Sequence, residues 1–219
     1  MSRSPSRTLA TWGGSLIIAA VAFGVYLRFV GTGPLPVDRW WIGIAQTTRG
    51  SAMHAVAVFF AEAGSMLGAL AVTAIAVALL LVLRRRRDAG AVATAVIFGA
   101  AGSELIKALV LRPRPGDQLA ASFGSSYPSG HSTAAAALAV SLALVVAYAD
   151  DFPARTAGFA WAIALTWTLV MMWSRTALRV HWLSDTVAGA LLGVGAALLA
   201  RSLWMPTAHK QAAGSLMRK

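Results

Sequence analysis

Apolar residues in this chain run in long blocks, with neither the two-residue alternation of a half-buried strand nor the single apolar stripe of a soluble helix. Blocks lie at about 16–30, 52–83, 89–111, 131–149, 156–173 and 183–204. A helix needs about 20 apolar residues to cross a bilayer, so the pattern predicts six membrane-spanning helices. The block 52–83 is too long for one untilted span, and a weak point is expected near Gly64-Ser65. Residues 31–51 carry Gly, Pro and the pair Trp40-Trp41 beside Arg39, the pattern of a segment lying in the membrane interface. The first block has a basic leader and an Ala20-Val21-Ala22 stretch like a cleavage site. Its apolar character continues past that point, so an uncleaved first span is expected.

Composition agrees. Of 219 residues, 58% are hydrophobic and 12% charged, and mean hydropathy is +0.67. Soluble domains are nearer 45–50% apolar and about 25% charged. The fold class is therefore all-α, a polytopic membrane bundle, with a short amino-terminal tail (1–13), one membrane domain (14–204) and a basic carboxyl tail (205–219). The net charge of +11 does not point to nucleic acid, because the basic residues sit at the ends of the blocks. No cysteine is present, which excludes disulfides and thiolate chemistry. Arg84 to Arg87 close the second block, and Arg112-Pro113-Arg114-Pro115 stop the third. Positive charge biased to one side then puts both termini and residues 84–88 in the cytoplasm, with 107–131 and 174–185 together at the extracytoplasmic face of the plasma (inner) membrane.

Those two stretches hold the candidate chemistry. Lys107 precedes Arg114-Pro115 by seven residues, Pro128-Ser129-Gly130-His131 opens the fourth span, and Arg175, His181 and Asp185 follow at spacings of six and four. If the chain is helical from His181 onward, the spacing puts Asp185 within reach of the imidazole. A carboxylate on one ring nitrogen fixes the tautomer and frees the other as base or nucleophile. Lys107, Arg114 and Arg175 match the charge of a tetrahedral phosphate, aided by the Ser129 hydroxyl and by Gly130 at a helix amino terminus. In this arrangement His181 attacks phosphorus, Asp185 stabilises the cation developing on the ring, and His131 protonates the leaving alkoxide and then activates water. Glu104, three residues before Lys107, is expected to pair with it.

Lys-x6-Arg-Pro (107–115), Pro-Ser-Gly-His (128–131) and Ser-Arg-x5-His-x3-Asp (174–185) together resemble the three-part signature of the type 2 phosphatidic acid phosphatase superfamily, which also includes vanadium haloperoxidases. The resemblance implies the site residues just named, a phosphohistidine intermediate on His181, and neither metal nor cofactor. The reading is an integral membrane lipid phosphatase, whose partners are a lipid phosphate substrate and membrane lipids. Alternatives are a lipid phosphotransferase and, from another class, a transporter or scaffold that binds anionic lipid without turnover. Arg112 and Arg179 lie at the same face and are not needed for one phosphate. They suit the second phosphate of an isoprenyl diphosphate such as undecaprenyl diphosphate, ranked ahead of phosphatidic acid or phosphatidylglycerophosphate. Against this, they can also serve as headgroup contacts, or Arg179 can pair with Asp185.

Overall fold

The computed structural model describes residues 5–149 and 152–205. Of the expected tails, residues 5–13 of the first are described and belong to helix, while the second lies outside the described residues apart from Met205. The described residues form eight helices and no strand: α1 Pro5–Val30, α2 Pro36–Ala45, α3 Ala52–Ala63, α4 Met66–Val82, α5 Arg86–Val110, α6 Gly130–Ala147, α7 Ala154–Ala177 and α8 Leu183–Trp204. Helices α1, α5, α6, α7 and α8 are each long and apolar enough to span a bilayer. Helices α3 and α4 form a sixth span bent by 52° at Gly64-Ser65. The protein is thus a polytopic helical membrane bundle, and the segment 31–51 contains the short helix α2.

The sequence explains the break. Ser65 accepts from the Gly68 N–H at 3.3 Å and so starts a new helix. Met171 of α7 fills the space beside Gly64, where an added Cβ would come within 2.1 Å of its terminal methyl. Ser51 caps α3 in the same way, accepting from the His54 N–H at 3.1 Å.

Helices α6 and α8 form the centre, and small residues set their spacing. An added Cβ at Gly193 would lie 2.3 Å from the Thr133 carbonyl oxygen, and one at Gly189 would lie 2.5 Å from that of Ser129. On the other flank of α8, Gly195 meets the Gly13 carbonyl of α1 at 2.8 Å by the same measure. Backbones this close gain dispersion contact and leave no room for lipid between helices. At one end of the bundle Arg85 and Arg201 both pair with Asp88, tying the start of α5 to the end of α8. At the other end, α2 and the loops 111–129 and 178–182 fold together over the helix ends. There Leu119 N–H donates to Leu178 O (2.9 Å), Ser126 N–H to Arg112 O (2.8 Å) and Ser129 N–H to Asp185 O (3.0 Å).

Candidate active site

The site sits where those loops meet α6. His181 lies in the turn between α7 and α8 and is 2% exposed. It is not on the helix, because α8 begins at Leu183. Its Nδ1 lies 2.7 Å from the Ser126 carbonyl oxygen. A carbonyl can only accept, so Nδ1 carries the proton and Nε2 presents its lone pair. The expectation that Asp185 fixes the tautomer is corrected here. Its Oδ2 is 3.6 Å from Nδ1, beyond a hydrogen bond but close enough to act as a counter-charge. Burial pushes the His181 imidazolium below its ordinary pKa; Asp185 opposes the shift, and Arg114 and Arg175 reinforce it. The ring is therefore neutral and nucleophilic near pH 7.

Arg114 is a structural clamp as well as a cation. Nε donates to Gly124 O (3.1 Å), and Nη2 donates to Phe123 O (3.0 Å) and Ser125 O (3.1 Å). Nη1 donates to Val180 O (2.7 Å) and meets His181 Nε2 at 3.1 Å. All five guanidinium N–H groups are thus engaged, one of them on His181 Nε2. Desolvation by burial lowers the pKa of Arg114, with Asp185 and Glu104 partly opposing.

Arg175 differs sharply. It stands in the last turn of α7 and is 5% exposed. Its Nε is buried without a partner, and its guanidinium makes no hydrogen bond among the described residues. Its charge acts on both His131 and His181, and Arg114 is the charge that acts on it most, with Glu62 opposing. Lys107 pairs with Glu104 at 2.6 Å, as the i,i+3 spacing predicts. It also fills the space beside Gly130, where a Cβ would stand 3.2 Å from Nζ. Glycine at 130 thus lets the ammonium reach the amino terminus of α6, whose first N–H groups lack intrahelical partners. Ser129 is fully buried and caps α6, accepting from Ser132 N–H (3.4 Å) and from the Ser132 hydroxyl (3.1 Å). Its hydroxyl therefore shapes the helix start and has no surface open to a ligand.

The two remaining candidates are both engaged within the protein. Arg112 is 1% exposed. It donates through Nε to Thr32 O (3.2 Å), through Nη1 to Ser184 Oγ (2.7 Å) and Asp185 Oδ1 (2.6 Å), and through Nη2 to Gly33 O (3.0 Å) and Asp38 Oδ2 (2.8 Å). With every donor engaged and no surface, it cannot serve as a headgroup contact in this conformation. Arg179, in the left-handed region at φ 53°, pairs with Asp117 and with Gln46 Oε1, not with Asp185. It holds the loop 111–129 to the end of α2.

Sequence reasoning missed Asp38 and Ser126. Asp38 gave a weak signal, an acid just inside a proline-started helix. The Ser126 contact is made by a backbone carbonyl and has no side-chain signature. Among the described residues, no group of three or more His, Asp or Glu side chains is placed to hold a metal ion.

Below His131 the polarity changes abruptly. Ala134 and Ala135, one turn further along α6, open an apolar groove of about 430 Å³ bounded by α6, the bend between α3 and α4, and α7. Leu142, Val72, Ile163 and Trp167 line it further down. Val72 (48%) and Ile163 (68%) are exposed on its outer rim, so it opens on the flank of the bundle.

A bent six-span bundle with two histidines and three cations at one polar end is the arrangement of a membrane-embedded anion site. The family model of the PAP2 superfamily matches residues 88–208, more than half of the chain, and the protein belongs to that superfamily. No curated protein sequence matches the chain. Among solved structures it is similar to a transmembrane PAP2-type phosphatidylglycerolphosphate phosphatase from Bacillus subtilis, with 20% identity, a TM-score of 0.75, and 87% of this chain and 94% of that one covered. It is also similar to LpxE from Aquifex aeolicus, with 18% identity, a TM-score of 0.61, and 76% and 95% covered. At these identities the likeness is one of fold.

Proposed function

We propose that the protein is an integral membrane lipid phosphatase acting at the extracytoplasmic face of the plasma (inner) membrane. The observation that carries the reading is Arg175: a buried guanidinium with no hydrogen bond among the described residues, beside a histidine whose Nε2 lone pair is held ready, with an apolar groove beginning one turn below His131. An unpaired buried cation is costly, and an anionic ligand removes that cost. The groove accounts for a hydrocarbon chain joined to the anion, and the phosphatase named among the structural neighbours supports a phosphate ester.

Phosphate enters between Lys107, Arg175 and the amino terminus of α6, and one of its oxygens takes the Arg114 Nη1–H now directed at His181. The freed Nε2 lone pair attacks phosphorus. The phosphorus–oxygen bond to the lipid breaks, and the departing oxygen takes a proton from His131, which acquires that proton when the phosphate dianion binds among the cations. In the second step His131 takes a proton from water as its oxygen attacks phosphorus. The phosphorus–nitrogen bond breaks, returning its electron pair to Nε2 and releasing inorganic phosphate. Lys107, Arg114 and Arg175 hold the equatorial oxygens through both steps, the charge work that a metal ion performs in other phosphatases.

The placement of Arg112 removes most of the argument for a diphosphate. A lipid phosphate monoester such as phosphatidic acid or phosphatidylglycerophosphate now ranks first. An isoprenyl diphosphate is the second reading and rests on Arg179, whose partner Asp117 has a side chain 66% exposed and free to release it. The test is phosphate release by purified protein in detergent with EDTA, from a panel of lipid mono- and diphosphates. Release in EDTA that vanadate inhibits is expected. No release from any lipid, strict dependence on added magnesium, or phosphorylated lipid appearing without free phosphate would each refute a stated part.

A further inference from the structure

Behind His181 lies an ion cluster that no step above uses. Arg112 bridges two carboxylates, Asp185 Oδ1 at 2.6 Å and Asp38 Oδ2 at 2.8 Å, and all three side chains are fully buried. Asp38 comes from α2, far from the signature stretches in sequence. It accepts from four donors: Arg112 Nη2, Leu35 N–H (2.9 Å), Ser184 N–H (2.9 Å) and the Ser184 hydroxyl (2.9 Å). Its contacts reach the start of α8 but not His181.

The charge count is informative. Asp185 alone beside Arg112 would form a neutral pair, with little net field at His181. One guanidinium between two carboxylates leaves one net negative charge, and the second carboxylate is Asp38. Attack by Nε2 makes the ring cationic, with Asp185 Oδ2 3.6 Å from Nδ1. With the ring and the cluster both buried, the field of the whole cluster stabilises that cation, not the nearest oxygen alone. Resting on the phosphatase reading, we propose that Asp38 is a positioning residue for catalysis. It offsets Arg112, so that Asp185 acts on His181 as an uncompensated anion, and through it the interfacial helix α2 sets the strength of the nucleophile's counter-charge.

Asp38→Asn tests this, since it removes one charge while the amide oxygen can keep the contacts made by Oδ2. The assay is turnover of a soluble aryl phosphate by full-length protein in detergent, with wild type alongside. Expected is a fall in kcat of roughly 10- to 100-fold, the scale seen when outer partners of a catalytic ligand are lost. KM should stay within about twofold and the melting transition should be retained, because the phosphate cations are untouched. Adding Arg112→Met to Asp38→Asn leaves the Asp185 charge alone before His181, so the double variant should turn over faster than Asp38→Asn. A merely structural clamp predicts a slower double variant, or a common fall in kcat, affinity and melting temperature for Asp38→Asn. Either result overturns the proposal, as does an unchanged kcat in Asp38→Asn. If the double variant does not fold, the split between kcat and KM in Asp38→Asn decides. Failure of wild type to hydrolyse any phosphate ester refutes the phosphatase reading itself, and this assignment with it.

Discussion

Replacing Arg175 by Met should make the protein more stable and nearly inactive. The residue is 5% exposed, its Nε has no partner among the described residues, and the charge acting on it most is another arginine, partly offset by Glu62. A buried donor left unpaired costs about 1–3 kcal/mol, and more when charged. Met keeps most of the apolar stem and removes the charge, so a gain of roughly 1–3 kcal/mol is expected, or about 2–12 °C in melting temperature for a chain of this size. Arg114→Met provides the contrast, because it strips partners from the carbonyls of Phe123, Gly124, Ser125 and Val180. It should lose stability by about the amount Arg175→Met gains, or more. In turnover both should fail. Two charge-assisted hydrogen bonds to phosphate at about 1.5–3 kcal/mol each correspond to a rate loss of roughly 10² to 10⁴ for Arg175→Met. The assay pairs thermal melting in detergent, with and without vanadate, with phosphate release. Vanadate should raise the melting temperature of wild type and leave that of Arg175→Met unmoved. A lower melting temperature for Arg175→Met than for wild type, without ligand, would refute the claim that this cation is held ready for an anion.

The two histidines should fail differently. His181→Ala should form no phosphoenzyme with any substrate, whereas His131→Ala should still be phosphorylated by an aryl phosphate, whose leaving group needs no proton; the opposite result reverses the roles. Because burial lowers its pKa, the His181 nitrogen resonances should keep neutral-ring values as pH falls through the ordinary imidazole range near 6.5, and titration there would show the ring to be solvated. A single cysteine at position 120, introduced into a chain that has none, should be labelled from outside intact cells; labelling only after the membrane is breached would invert the topology.

The spans were legible because hydropathy blocks report directly on which segments a bilayer accepts. Even the bend at Gly64-Ser65 left a trace, since Gly and Ser interrupt an otherwise apolar block of excessive length. The site was legible to the extent that its chemistry needs particular side chains at fixed spacings, and the loops do bring Lys107, Arg114, Arg175 and both histidines to one end of the bundle. Reading failed where a contact depends on the backbone or on a distant partner. Asp185 was assigned to His181 from i,i+4 geometry, and it does stand 3.6 Å from Nδ1 as a counter-charge, but α8 starts after the histidine, the Ser126 carbonyl takes the Nδ1 hydrogen bond, and the carboxylate also caps α8 through Trp182 N–H (2.9 Å) and pairs with Arg112. Arg112 and Arg114 are two residues apart in one stretch, and no local pattern says that one is buried among aspartates while the other faces His181.

The groove on the bundle's flank has a kinetic consequence. If the lipid chain reaches it sideways, through the rim at Val72 and Ile163, the enzyme samples substrate in two dimensions. The quantity that saturates it is then the mole fraction of substrate in the bilayer or micelle, not moles per litre of suspension. Adding inert detergent should slow the reaction by surface dilution even at constant bulk substrate. The two products also part company, the dephosphorylated lipid remaining in the sheet while phosphate leaves into water.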